Sequence, residues 1–372
     1  MRPIARDDTS ILGRWWWTVD HWTLFSFGLL TAFGLILTVA ASPPVAERIG
    51  LDPFYFVRRQ AVLIVPAMAI MFVVSLLDPR GVRRLATLAF AGIIGLLFLT
   101  LFFGPEIKGA QRWLVLGGFS LQPSEFMKPA FAVVAAWMFS ARRLGQDVPG
   151  YQVSCVLYVL VIGLLLAQPD VGQAIIVSAI WFTQWFLAGL SMIWVAVFAV
   201  LGLLAMTGAY FVFPHVASRI DRYFDPASGD NYQIDRAMEA FMNGGLLGRG
   251  AGEGRAKAFL PDAHSDFIFA VAGEEFGLLA CLFLVALFVF VILRGLIRVM
   301  ADDNLFVVLA AAGLIVQFAL QAIINMASTV NLMPTKGMTL PFISYGGSSL
   351  LALGFGMGML LALTRRRAGG PQ

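Results

Sequence analysis

Between Ser154 and Phe213, sixty consecutive residues carry a single charge, Asp170. A soluble domain has no core large enough to bury such a run, whereas a bilayer absorbs it in pieces of about 20 apolar residues per helix. The run breaks only at Gln168-Pro169-Asp170 and Ala188-Gly189-Leu190-Ser191, so it reads as three spans joined by two tight turns. The rest of the chain is similar: 59% of its 372 residues are hydrophobic and 13% are charged, with a mean hydropathy of +0.82. Spans are expected near 22–42, 60–77, 85–104, 126–141, 151–167, 171–188, 191–213, 267–293, 304–325 and 345–363. The fold class is an all-α polytopic membrane protein with about ten transmembrane helices and a large extracytoplasmic loop, 214–265, between spans seven and eight. Segments 1–21 and 364–372 flank the membrane domain, 22–363, as cytoplasmic ends. Val39-Ala40-Ala41-Ser42 resembles a signal-peptidase site, but the first apolar run is too long for a signal peptide and nine more spans follow.

Lys and Arg favour cytoplasmic loops. With the N-terminus inside, thirteen of the 26 fall on inner segments, Arg80, Arg83, Arg84, Arg142, Arg143, Arg294 and Arg298 among them. The long loop holds six of the outer thirteen, and long loops translocate largely regardless of charge. Short segments therefore divide thirteen to seven in favour of this orientation. Trp15, Trp16, Trp17 and Trp22 are then expected as an aromatic belt at the inner face. Cys155 and Cys281 fall inside spans and the three His are scattered, which indicates neither a disulfide nor a metal cluster. The net charge of +4 follows from basic inner loops and does not point to nucleic acid.

Polar residues are costly in such a chain, so their clusters mark packing devices or function. In the loop after the third span, Arg112 and Trp113 precede Gln122-Pro123-Ser124-Glu125-Phe126-Met127-Lys128. Glu125 and Lys128 form an i, i+3 pair at a helix start; Arg112 and Trp113 suit a phosphate and a sugar. Either a capped helix or a headgroup site satisfies this pattern. In the long loop, Ile234, Ala237, Met238 and Phe241 make one stripe of a short amphipathic helix begun by Asn231 and ended by Gly244-Gly245. His264-Ser265-Asp266 follows, and Asp266 reads first as an N-cap of the eighth span. Asp266, Ala270, Gly273 and Gly277 share one face that another helix or a ligand can approach. Glu274 and Glu275 are expected roughly 12 Å below the surface, where a carboxylate needs a partner or a wet cavity. Finally, Pro334-Thr335-Lys336-Gly337 and Leu340-Pro341-Phe342-Ile343-Ser344-Tyr345-Gly346-Gly347 predict irregular backbone lining a cavity. Gly354 and Gly358 give the last span a small-xxx-small face.

These motifs, with Gly109-Ala110-Gln111-Arg112-Trp113, Gln168-Pro169-Asp170-Val171-Gly172 and Gly273-Glu274-Glu275, together resemble the SEDS family of bacterial cell-wall polymerases over nearly the whole chain. Pro334-Thr335-Lys336-Gly337 favours its division branch over its elongation branch; Ala327 departs from the Gly common in that branch. The resemblance implies an inverting glycosyltransferase that polymerises lipid II, the undecaprenyl-diphosphate-linked disaccharide-peptide, outside the cytoplasmic (inner) membrane. It assigns the catalytic base to Asp266, whose residue type is ionised at neutral pH. Substrate binding falls to Arg112, Trp113, Gln122, Ser124, Glu125, Lys128, His264, Glu274, Lys336 and Ser344. Arg112, Lys128 or a divalent cation, Mg or Mn, would balance charge growing on the diphosphate. The implied partners are a class B penicillin-binding transpeptidase and other division-site membrane proteins. A flippase for the same lipid is the alternative, and a division scaffold a weaker one that leaves Glu274 and Glu275 unexplained.

Overall fold

The computed structural model of the chain describes residues 10–106, 110–117, 119–225, 232–334 and 337–366. Ten helices occupy the expected spans: α2 (His21–Arg48), α3 (Tyr55–Ser75), α4 (Pro79–Phe103), α5 (Pro123–Arg143), α6 (Gly150–Ala167), α7 (Val171–Leu187), α8 (Met192–Val212), α11 (Ile268–Met300), α12 (Leu305–Thr329) and α13 (Gly347–Leu363). Three shorter helices lie outside this set: α1 (Ile11–Thr18), α9 (Pro214–Phe224) and α10 (Tyr232–Gly244). An antiparallel hairpin, β1 (Leu114–Leu116) and β2 (Phe119–Leu121), fills part of the loop between α4 and α5. The hairpin, α1 and α9 are additions to the sequence reading; α10 is the amphipathic helix it expected. Asn231, its expected cap, lies outside the described residues.

Seven of these helices are long and apolar enough to cross a bilayer, and α7 and α13 are shorter apolar helices. The remaining one, α5, carries Glu125, Lys128, Arg142 and Arg143 and stands in the middle of the bundle, buried along most of its length. It is packed by α4, α6, α7, α12 and α13, so its polar groups meet protein rather than lipid. The outward faces are apolar, as Leu88 and Phe103 on α4 illustrate. No residue of α8 is buried; its Phe198 meets Phe182 and Trp185 of α7 at ring distances of 4.9 and 5.3 Å.

Small residues set the closest approaches. A Cβ on Gly354 would stand 2.4 Å from the carbonyl oxygen of Ala67, and one on Gly358 would stand 2.7 Å from that of Met71. α13 therefore lies almost backbone to backbone on α3, as the small-xxx-small pattern requires. Gly273 plays the same part for α10, because a Cβ there would stand 2.3 Å from the Phe241 ring.

α11 departs from expectation. Its 33 residues would make a rod of about 50 Å, well beyond a hydrocarbon core of about 30 Å. It is broken at Gly277, with φ 76° and ψ −176°, a conformation open to glycine. Residues 278–300 are long enough to span alone, and 268–276 form a separate short helix above them. The long connection closes the break. Leu278 and Leu279 N–H donate to Gly245 and Leu246 carbonyls at 2.9 and 3.2 Å, and Arg249 and Gly250 N–H donate to those of Glu274 and Glu275 at 3.0 Å each. Glu274 and Glu275 are therefore enclosed by protein, with the loop folded in around them.

At the opposite end, α1 packs beside the last residues of α13. Trp15 is buried, its indole N–H donating to Ser75 Oγ at 2.8 Å, so it is a packing residue and not an interface anchor. Trp16, Trp17 and Trp22 remain exposed. Asp20 accepts from Arg294 at 2.6 and 2.7 Å and from Arg298 at 3.1 Å, closing this end.

Gly354→Val should lower the apparent Tm of the purified protein, since overpacking costs about 1–3 kcal/mol. Gly92→Val is the control, because a Cβ at Gly92 meets nothing within 4 Å. Equal melting of the two variants would contradict the α3–α13 contact.

Candidate active site

Asp266 does not cap a helix. α11 starts two residues later, at Ile268, with Phe267 at the N-cap position and no side-chain cap. The Asp266 side chain instead lines a small cavity of about 100 Å³ together with Arg219, Gln233, Asp262, Ser328 and Gly337. A Cβ on Gly337 would stand 3.2 Å from Asp266 Oδ2, and Gly337 has a φ of 61°. Glycine thus satisfies both the backbone and the carboxylate beside it.

The approach to Asp266 is fixed by its carbonyls. Tyr345 N–H donates to the His264 carbonyl at 2.9 Å, the Ser344 hydroxyl to that of Ser265 at 2.5 Å, and the Asn325 amide to that of Asp266 at 2.9 Å. The same amide donates to Met338 O at 2.5 Å. The irregular segment 337–345 is thereby locked onto the 264–266 turn, and the expected cavity-lining backbone is realised at Gly337 and Met338. Its expected site residue Ser344 acts here through backbone rather than through the cavity. Lys336 lies outside the described residues.

The loop between α4 and α5 holds the next group. Arg112 Nε donates to Gln168 O at 3.1 Å and Nη2 to Pro169 O, while Nη1 stands 3.9 Å from Asp170. Its guanidinium pins the α6–α7 turn, which corrects its reading as a dedicated phosphate ligand. Trp113 is half-buried beside the hairpin. Gln122 N–H donates to Ser348 Oγ at 3.0 Å, tethering the hairpin to α13. Ser124, Glu125 and Lys128 are buried within the bundle. Lys128 Nζ donates to Glu125 Oε2 at 2.9 Å and to Gln321 Oε1 at 3.2 Å. Gln173 Nε2 donates to Glu125 Oε1 at 2.5 Å, and Gln321 continues the chain to Thr339 Oγ1 at 3.2 Å. The predicted Glu125–Lys128 pair exists, but as a neutralised buried unit, which removes Lys128 as a free counter-charge.

Two of the expected substrate contacts, Glu274 and His264, have structural partners, as does Glu275. Glu274 is wholly buried, and its carboxylate accepts the backbone N–H groups of Arg255, Ala256 and Lys257 at 2.7, 2.8 and 3.1 Å. These open a 3-10 turn, Ala256–Ala258, so the carboxylate serves the orphan donors of a helix start. Glu275 pairs with Lys257 Nζ. Of the two readings left open by the sequence, the ion pair is the one realised. His264 is stacked on Phe56 at 4.1 Å between ring centroids, and burial lowers its pKa from 6.5 to about 4. It is neutral at neutral pH, and packing rather than substrate contact occupies its ring. Asn325, Gln173, Gln321 and Arg219 were not singled out by sequence reasoning.

A carboxylate in a cavity above the end of a spanning helix, on a ten-span scaffold, is the arrangement to compare with known proteins. The family described as cell cycle protein, FtsW/RodA/SpoVE, matches residues 20–369. The chain belongs to this family. Among FtsW/RodA/SpoVE relatives, it is 45% identical over 366 residues to a probable peptidoglycan glycosyltransferase FtsW of Caulobacter vibrioides, covering 98% of this chain and 94% of that one. It is 37% identical to a protein of the same name from Trichlorobacter lovleyi, covering 90% of each. The crystal structure of the Thermus thermophilus rod shape determining protein RodA superposes with a TM-score of 0.67 at 27% identity, covering 93% of this chain and 96% of that one. A chain from a peptidoglycan synthase complex that coordinates polymerization and crosslinking reaches 0.76 at 28% identity, covering 93% and 97%. The chain is thus a multi-pass membrane protein of the FtsW/RodA/SpoVE fold.

Lys257→Met and Glu275→Met should each lower the apparent Tm more than the double variant does, because each single change leaves a buried charge alone, at a cost of about 3–5 kcal/mol. Additive losses would contradict a buried pair.

Proposed function

We propose that this chain is a peptidoglycan glycosyltransferase of the FtsW type, which joins lipid II units into glycan strands at the outer face of the inner membrane during division. The observation that carries the reading is the Asp266 carboxylate in a cavity just above the break of α11, at the level where a lipid headgroup would lie. The names of the FtsW relatives support the activity.

In this reading the 4-hydroxyl of the acceptor sugar sits against Asp266 and gives up its proton as its oxygen attacks the anomeric carbon of the donor. The bond from that carbon to the lipid diphosphate breaks on the opposite face, and the linkage inverts. Asn325 holds Asp266 by its carbonyl, and Ser344 and the Tyr345 N–H hold the Ser265 and His264 carbonyls before it, which fixes where the base stands. Among the described residues no group of three or more His, Cys, Asp or Glu is set to hold a metal, so a Mg or Mn ion would not have a ready-made protein site. No step is assigned to it; chelator titration tests its need. A transpeptidase partner is proposed from the same relationship, since a strand polymerase needs a cross-linker beside it, and the synthase complex containing the structural relative supports this.

Asp266→Asn keeps shape and hydrogen bonding but loses basicity. Purified variant given labelled lipid II should lose polymer on a gel by about 100-fold or more, the scale of a lost general base, with unchanged melting. Undiminished polymer would overturn the base assignment. Transport of lipid II in vesicles without polymer formation would favour the flippase.

A further inference from the structure

If the donor leaves as a diphosphate, some group must meet the charge that grows on its bridging oxygen. The two basic residues that the sequence offered are committed elsewhere. Lys128 is buried and paired with Glu125, and Arg112 spends Nε and Nη2 on the carbonyls of the α6–α7 turn.

Arg219 differs from both. It sits on α9 and lines the same cavity as Asp266. It is half-buried, and among the described residues its guanidinium closes no ion pair. Its helix is fixed in place: Tyr223 Oη donates to Leu332 O at 3.2 Å, and Tyr210 Oη of α8 donates to Asp221 at 2.8 Å. Burial and the like charges of Arg112 and Arg222 act against the Arg219 cation, while Asp266 and Asp170 act for it. A half-buried arginine that feels the like charges of Arg112 and Arg222 is in an unfavourable arrangement for packing alone. An anion with several acceptor oxygens between them relieves it, and the planar guanidinium fork matches phosphate oxygens.

We propose that Arg219 holds the leaving diphosphate of the lipid-linked donor in the cavity it shares with Asp266. This rests on the glycosyltransferase reading. The acceptor oxygen forms its bond to the anomeric carbon as the carbon–oxygen bond to the diphosphate breaks with its electron pair. The acceptor proton goes to Asp266, and the added negative charge of the diphosphate faces Arg219. Base and counter-charge then stand on opposite sides of the reacting carbon, as inversion demands.

The test uses the full chain in detergent, with Arg219→Gln and Arg219→Lys, and two measurements. The first is binding of undecaprenyl diphosphate and of undecaprenyl monophosphate, which needs no turnover. The second is the pH profile of kcat/KM for lipid II. Arg219→Gln should weaken diphosphate binding at least 10-fold, weaken the monophosphate less, and lower kcat/KM by about 100- to 1,000-fold, the scale of a lost oxyanion ligand. Arg219→Lys, which keeps the positive charge, should recover part of each and leave the acidic limb of the profile in place. Unchanged diphosphate binding in a variant that melts like wild type overturns the proposal. A displaced acidic limb with unchanged diphosphate binding assigns Arg219 to tuning Asp266 instead and equally overturns it. Should the wild type bind the diphosphate through Arg219 yet form no glycan, the polymerase reading fails while the Arg219 assignment stands.

Discussion

The structure depends on one obligation: polar backbone near a bilayer must find partners within the protein. Breaking α11 at Gly277 breaches helical pairing at the point where the helix leaves the membrane. The segment 245–250 restores it with four backbone hydrogen bonds, and Glu274 and Glu275 secure the segment that follows by gathering Arg255, Ala256 and Lys257. Gly248 serves that contact, since a Cβ there would stand 2.1 Å from Glu275 O. Two carboxylates that look like buried liabilities are what turn a long loop into a fixed cap.

From that cap the site follows. The loop returns to α11 through the 264–266 turn, whose three carbonyls are taken by Tyr345, Ser344 and Asn325. Elsewhere near this end charge is cancelled in pairs: Lys128 with Glu125, Lys257 with Glu275 and Arg112 near Asp170. Pairing of this kind keeps a polar interior stable without making it reactive. Asp266 and Arg219 line one shared cavity, with Asp262, Gln233 and Ser328 beside them.

The spans were legible because apolar runs of bilayer length are a strong signal, and the α3–α13 contact because glycines four apart lie on one helix face. The motifs led to Asp266 and to the 337–345 segment. What the sequence withheld was the partner of each polar group. Glu274 and Glu275 read as deep carboxylates because their distance from the mouth of the span was counted along one helix, and nothing near Gly277 announces the break or the loop that folds over it. Arg112 read as a phosphate ligand because its acceptors, the Gln168 and Pro169 carbonyls, are distant in sequence. Arg219 was one charge among many in a loop whose net charge is small. Trp15 read as an anchor because nothing near it announces Ser75.

The central claim is that chemistry occurs in the cavity above the α11 break, with the headgroup between Asp266 and Arg219. An experimental structure of the Asp266→Asn protein with intact lipid II bound tests it most directly. The account predicts density for the sugar–diphosphate junction in that cavity, with its phosphates toward Arg219 and the polyprenyl tail leaving between helices toward lipid. A headgroup held at the opposite end, near Asp20 and Arg294, or outside the cavity would contradict it.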